Sequence, residues 1–218
     1  VLATPQEVVY HPDERRSHEV AEELVGPEFR GVVTCDFYSA YNPVKVAKQR
    51  CWAHLLRETR ELEGEEGPRL HQELKELRTW IEGKLGRAPP GRRERLAQFG
   101  EWAVQQLTER EWTDPECQRI ASRLRKHLSE LFTFVRCPGV EATNNRAERA
   151  LRPAVIVRKT GGCNRTECGA KTHAILASLL VTAKQQGGDP LEALSRVLIG
   201  QGKQLSLQLR SPPALEAT

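Results

Sequence analysis

The sequence predicts an α/β fold interrupted by an all-helical block, and three observations carry that prediction. Two short β-rich runs, Glu7-Val8-Val9-Tyr10 and Gly31-Val32-Val33-Thr34-Cys35-Asp36, flank a segment whose apolar residues recur at helical spacing, which marks a mixed α/β layer. From Leu55 to Phe134 the pattern becomes helical and highly charged. After Cys137-Pro138-Gly139 the chain returns to a basic segment followed by two more helices.

Taken in order, Pro12 ends the first strand because proline cannot donate to a ladder. Ser17 is placed to cap a helix whose Val20, Ala21, Leu24 and Val25 share a face, and Gly26-Pro27 stops it. The continuous run Gly31 to Asp36 reads as a strand buried on both faces. Asp36 closes it, and in such layers chemistry gathers at the carboxyl ends of strands. A turn aspartate that accepts backbone N–H bonds is the plainer reading of the same residue. Phe37 to Pro43 reads as a turn or short helix, and a strand over Val46 to Arg50 leads into Cys51-Trp52-Ala53-His54. Cys51 and His54 have metal-ligand spacing, but a structural zinc site needs a second pair. Cys163 and Cys168 offer one with a looser gap, so a buried cysteine followed by a helix-start histidine is the simpler reading.

Leu70, Leu74, Leu77 and Ile81 mark one amphipathic helix of the charged block. Leu96, Phe99, Ala103, Val104 and Leu107 mark a second, and Ile120, Leu124, Leu128 and Leu131 a third. Arg87-Ala88-Pro89-Pro90-Gly91 separates the first two. Pro153 weighs against a long helix through Arg152, since proline disfavours helical geometry in the preceding residue. Gly169 to Gln186, with Ile175, Leu176, Leu179, Leu180 and Ala183 on one side, is the clearest helix and closes at Gly187-Gly188. Asp189-Pro190 opens a last helix to about Leu198, before a polar, frayed tail after Gly200.

The 218 residues suffice for a sizeable core, and 39% hydrophobic with 28% charged residues is the composition of a soluble globular protein. No signal peptide or bilayer-length apolar run is present, so a cytoplasmic protein without membrane contact, its six cysteines reduced, is expected. The net charge of +4 permits a nucleic-acid partner without requiring one. Its distribution is more telling. Leu55 to Leu131 holds 15 basic and 15 acidic residues, whereas Asn144 to His173 holds seven basic residues against two glutamates. That basic window contains Asn144, Asn145, Glu148, Arg149 and Arg152 on one helical face, with Arg146, Arg158 and Lys159 nearby. A lone carboxylate among cations and amides suits a site holding metal against phosphate. Asn145 with Glu148 three residues later also fits a capping box.

Several separated motifs agree in order and spacing: Val33 to Tyr41, Cys51-Trp52-Ala53-His54-Leu55-Leu56-Arg57, Asn144 to Pro153 with Arg158-Lys159, and Ser178 to Pro190. Together, from about Val8 to Leu198, they resemble the insertion-sequence-66 family of bacterial transposases. The resemblance implies a ribonuclease-H-like mixed sheet, incomplete at the N-terminus, carrying an all-helical insertion domain. It divides the chain into 1–54 and 139–187 as core, 55–138 as insertion, and 188–218 as a C-terminal helix and flexible tail. It also implies an Asp-Asp-Glu triad with Asp36 as the second Asp and Glu148 as the Glu, both catalytic and metal-binding. Asn144, Asn145, Arg146, Arg149, Arg152, Arg158 and Lys159 would contact DNA. Cys51 and His54 match a structural Cys-x-x-His signature. The first Asp of the family precedes the region where this chain begins, and Asp13 falls in the wrong place to replace it. Two Mg²⁺ ions about 4 Å apart, held by oxygen ligands, would activate the attacking oxygen and stabilise the leaving one. The resemblance thus implies cleavage and strand transfer at mobile-element ends by a homo-oligomer on DNA. With one acid absent, weak metal binding is expected, and a catalytically inactive DNA-binding or assembly module is the alternative. A zinc-binding regulatory protein is a third reading.

Overall fold

A computed structural model describes residues 1–15, 17–86, 88–162 and 164–199. Arg87, Cys163 and the tail from Gly200, which the sequence readings include, lie outside them. The chain is mixed α/β and mostly helical. It divides into a unit of residues 28–144 and a second that joins residues 1–27 to the described residues from 145 to 199. Among the described residues, no helix is long and apolar enough to cross a membrane.

In the unit of residues 28–144, strand β3 (Val32–Cys35) pairs in parallel with β4 (Ala47–Arg50), in the register Cys35 opposite Arg50. The connection includes a 3₁₀ turn at Ser39–Tyr41. The expected burial on both faces of β3 is not found: Val32, Val33 and Thr34 are half-buried and Cys35 alone is buried. The helical block covers the end of the pair instead, where Cys35 lies opposite the buried Arg50. From Cys51 the chain enters α2 (Trp52–Arg60), then α3 (Glu66–Leu85), α4 (Pro90–Glu109) and α5 (Pro115–Lys126). A 3₁₀ turn at Leu128–Leu131 and the short α6 (Thr133–Arg136) complete the block.

Trp52 and Leu55 of α2, Leu70, Leu74 and Ile81 of α3, Val104 of α4, Ile120 and Leu124 of α5, and Phe132 form one core. The sequence expectation errs at two points. The third helix is not continuous, because His127 leaves helical geometry and the chain tightens into the 3₁₀ turn. Phe99 does not face the core. Ala97, Gly100 and Val104 occupy that face, and Phe99 lies 41% exposed between Trp80 and Trp102, with ring centroids 4.8 and 5.7 Å away.

Gly100 is buried where Phe132 packs, and a methyl group there would collide with the Phe132 ring. Gly100→Ala is therefore expected to destabilise by about 1–3 kcal/mol despite better helix propensity. Gly83→Ala, on an open stretch of α3, is expected to stabilise by about 0.5–1 kcal/mol. Urea unfolding midpoints moving in opposite directions would check both.

In the other unit, β1 (Leu2–Ala3) pairs antiparallel with β2 (Val8–Val9), followed by α1 (His18–Val25). Helices α7 (Asn145–Thr160), α8 (Glu167–Gln185) and α9 (Pro190–Leu198) complete it. The Val8 N–H donates to Thr182 Oγ1 at 3.1 Å, and that hydroxyl donates to the Val8 carbonyl at 3.2 Å. One helical turn earlier, Ser178 Oγ accepts the Tyr10 N–H at 2.9 Å. Hydroxyls of α8 thus serve a strand edge as a neighbouring strand would. The expected apolar side of α8 is correspondingly not all buried: Ile175 is 68% exposed, while Ala174 and Thr182 face inward. Helix α7 runs through Pro153, against expectation. The missing N–H orphans only the Arg149 carbonyl, and Arg149 and Pro153 lie on the exposed side, where water can replace the bond.

Candidate functional site

Asp36 follows β3 directly and is half-buried. Its Oδ1 accepts the Tyr38 N–H at 2.9 Å, so the plain turn-forming role read from sequence is present. Asp36 also lines a cavity of about 260 Å³ shared with Tyr38, His54, Arg57, Glu58 and Arg123. Cys51 is the last residue before α2, which sets the two members of the Cys-x-x-His step to opposite tasks. Cys51 is fully buried and its Sγ accepts the Asn144 N–H at 3.4 Å. His54, in the first turn of α2, opens onto the Asp36 cavity.

Glu58 stands one turn beyond His54. Burial raises its pKa, but hydrogen bonds and charges from Arg123 and Arg119 outweigh that and hold it below the usual carboxylate range. Arg119 Nη2 lies 2.9 Å from Glu58 Oε1 and Arg123 Nη1 3.1 Å. Glu58 is therefore a counter-ion joining α2 to α5. Hydrogen bonds from Arg110 to Glu73 and from Arg136 to Glu94 depress those carboxyls in the same way. Burial pushes the Cys35 thiol behind Asp36 up to about 11.

A folded-state pKa below the unfolded value of 4.5 contributes stability present above that pH and lost as pH falls through the depressed pKa. The unit of residues 28–144 is therefore expected to lose helix signal progressively below pH 4.5. Circular dichroism across an acid titration, compared with Arg119→Ala and Arg123→Ala, measures this; a smaller acid loss in those variants is the expected result.

The basic segment lies in the other unit. Helix α7 begins at Asn145, so Asn144 occupies the cap position and Glu148 falls one residue past the capping-box place. The Asn144 Oδ1 is buried without a hydrogen-bond partner. Glu148 and Arg146 are half-buried, whereas Arg149, Arg152, Arg158 and Lys159 are exposed. The Tyr10 hydroxyl anchors the helix by donating to the Ala150 carbonyl.

Among the described residues, no three of His, Cys, Asp or Glu form a group able to hold a metal ion. Asp36 belongs to one unit and Glu148 to the other. Cys51 and His54 share the unit of Asp36, and Cys168, exposed on α8, shares that of Glu148.

A family model described as Transposase IS66 family matches residues 2–172, a stretch that contains Asp36, Cys51, His54 and Glu148. The chain belongs to the IS66 transposase family. It is also similar to the Uncharacterized protein y4qI of Sinorhizobium fredii (strain NBRC 101917 / NGR234), at 30% identity over 227 residues. That similarity covers 91% of this chain and 41% of the relative, so the IS66-family chain spans less than half of that protein. No solved structure matches it.

Sequence reasoning missed the company that His54 keeps in this IS66-family chain. Glu58, Arg123 and Arg57 sit in the highly charged helical block, for which the sequence suggested no site, and Arg50 ends a strand yet is wholly buried. The available signal was the i, i+4 pair His54 and Glu58 on the first turns of a helix that starts beside a strand-end acid.

Proposed function

We propose that the chain forms part of a transposase that cuts and joins DNA at mobile-element ends, with Asp36 and Glu148 as two carboxylates of a Mg²⁺-dependent centre. The observation that best supports this reading is Asp36 at the carboxyl end of a parallel strand, opening onto a cavity shared with His54. Within it, residues 55–138 are the insertion in a ribonuclease-H-like core, and Cys51 and His54 join that core to the helical block. A further carboxylate from outside the described residues completes the metal set. Asn144, Asn145 and Arg146 begin the DNA-contacting segment, and the exposed Arg149, Arg152, Arg158 and Lys159 hold phosphates without reading sequence. The protein acts in the cytoplasm as a homo-oligomer on DNA.

A second reading is a DNA-binding or assembly module without catalysis, which the exposed cations Arg149, Arg152 and Lys159 of α7 would serve equally well. Incubation with DNA carrying element ends and Mg²⁺ separates the two. Nicking that disappears in Asp36→Asn and Glu148→Gln is expected for the first. Salt-sensitive binding without nicking by the unaltered chain would replace it with the second. In either case Arg149→Ala with Arg152→Ala is expected to reduce the slope of log affinity against log salt by about two units, at about 0.9 per phosphate contact.

A further inference from the structure

Arg50 ends β4 and is fully buried, which is costly for a cation unless its donors are matched. All sides of its fork are used. Nε donates to Glu130 Oε2 at 2.5 Å, Nη1 to the Asp36 carbonyl at 2.9 Å, and Nη2 to Asn42 Oδ1 at 2.7 Å. The last two contacts grip both ends of the segment that leaves β3: Asp36 at its start and Asn42 just past the 3₁₀ turn. Glu130, in the 3₁₀ turn at Leu128–Leu131, supplies the counter-charge and also meets His127 Nδ1 at 3.1 Å. Phe37, adjacent to Asp36, is held by the same group of cations. Its ring centroid lies 5.9 Å from the Arg50 guanidinium and 4.5 Å from that of Arg123, and its edge meets the His127 ring at 6.1 Å. A planar guanidinium serves three acceptors in three directions, whereas an ammonium has no such fixed fork.

We propose that Arg50 is a positioning residue for Asp36, and that the helical block sets the placement of that carboxylate through the Glu130–Arg50 pair. The functional part of this inference rests on the reading of Asp36 as a reacting-site carboxylate. Arg50 acts through the Asp36 backbone, fixing where the residue leaves the sheet, and the Tyr38 N–H then orients the carboxylate. Without the pair, the segment from Asp36 to Asn42 loses its two hydrogen bonds to Arg50 and keeps the packing of Phe37 against Arg123 and His127.

Arg50→Lys and Asn42→Ala test this in the full chain, the latter serving if the buried lysine variant does not fold. Both are expected to speed hydrogen exchange of the Tyr38 amide at least about tenfold, as local opening becomes easier. Both should also shift the Asp36 carboxyl carbon resonance, assigned with Asp36→Asn, while amides of Leu74 and Leu124 stay protected. Cleavage of element-end DNA should fall by about tenfold or more, since sub-ångström misplacement of a reacting group is costly. Unaltered Tyr38 exchange and an unaltered Asp36 resonance in the folded variants would overturn the proposal. If Asp36→Asn cleaves DNA as fast as the unaltered chain, the functional reading of Asp36 fails, and the two spectroscopic readouts still decide whether Arg50 holds the segment.

Discussion

Trp52→Ala is expected to cost about 3–5 kcal/mol of unfolding free energy, the range for removing a large aromatic from a core that cannot collapse around the void. Trp52 is fully buried at the first position of α2. Its ring meets Phe132 edge-on at 5.6 Å, and its Nε1–H donates to the Leu131 carbonyl at 2.7 Å. The same residue's backbone N–H donates to the Ala142 carbonyl at 3.0 Å, a bond that alanine preserves. The loss is therefore one of packing and of one buried hydrogen bond. A fall in the denaturant midpoint with the slope unchanged would identify it as such. Trp52→Phe should retain most of the packing and lose mainly the bond to Leu131.

Gln49→Leu is expected to cost about 2–4 kcal/mol, because it strips partners from buried backbone groups while keeping a similar volume. Gln49 is fully buried in β4. Its Nε2 donates to the carbonyls of Arg50 at 2.7 Å and Leu131 at 3.0 Å, and its Oε1 accepts the Phe134 N–H at 2.7 Å. One side chain thus fastens the edge of the parallel pair to the last turns of the helical block. The Leu131 carbonyl receives both Gln49 and Trp52, so the two losses are coupled. In Trp52→Phe with Gln49→Leu that carbonyl loses both donors, and the double variant should exceed the sum of the singles by about 0.5 kcal/mol or more. Additive midpoints would show that water replaces the missing donors.

Much of this was legible in the chain because local chemistry and tertiary demand agree. Asp189 followed by Pro190 reads as a helix start, and Asp189 Oδ1 does accept the Leu191 N–H at 2.8 Å. Leu70, Leu74 and Ile81 fall on one face and are buried together. Asp36 was legible as the residue ending a strand, and both its turn bond and its cavity follow from that position. What escaped is what spacing does not encode. Apolar periodicity counts Phe99 as core, yet the small Gly100 is what lets Phe132 approach α4, and that preference for a small residue is invisible in a hydrophobic tally. Pro153 carries a steric rule that exposure relaxes. Arg50 and Glu130 are 80 positions apart, and no local pattern joins them. Glu148 was legible as a carboxylate among cations. Its separation from the cap emerged only with the helix start at Asn145.

The hydroxyls of Thr182 and Ser178 have a consequence for how the protein is made. They satisfy the backbone of β2 across sequence separations of 174 and 168 residues. As the polypeptide leaves the ribosome, residues 28–144 form a contiguous stretch able to assemble while synthesis continues. The first strands must wait, with their edge groups bonded to water, until α8 emerges. Loop closure over that span costs only slowly more with length, but its timing is fixed by translation. A pulse-labelled nascent chain should therefore gain protease resistance in two stages, the helical block first and residues 1–27 last.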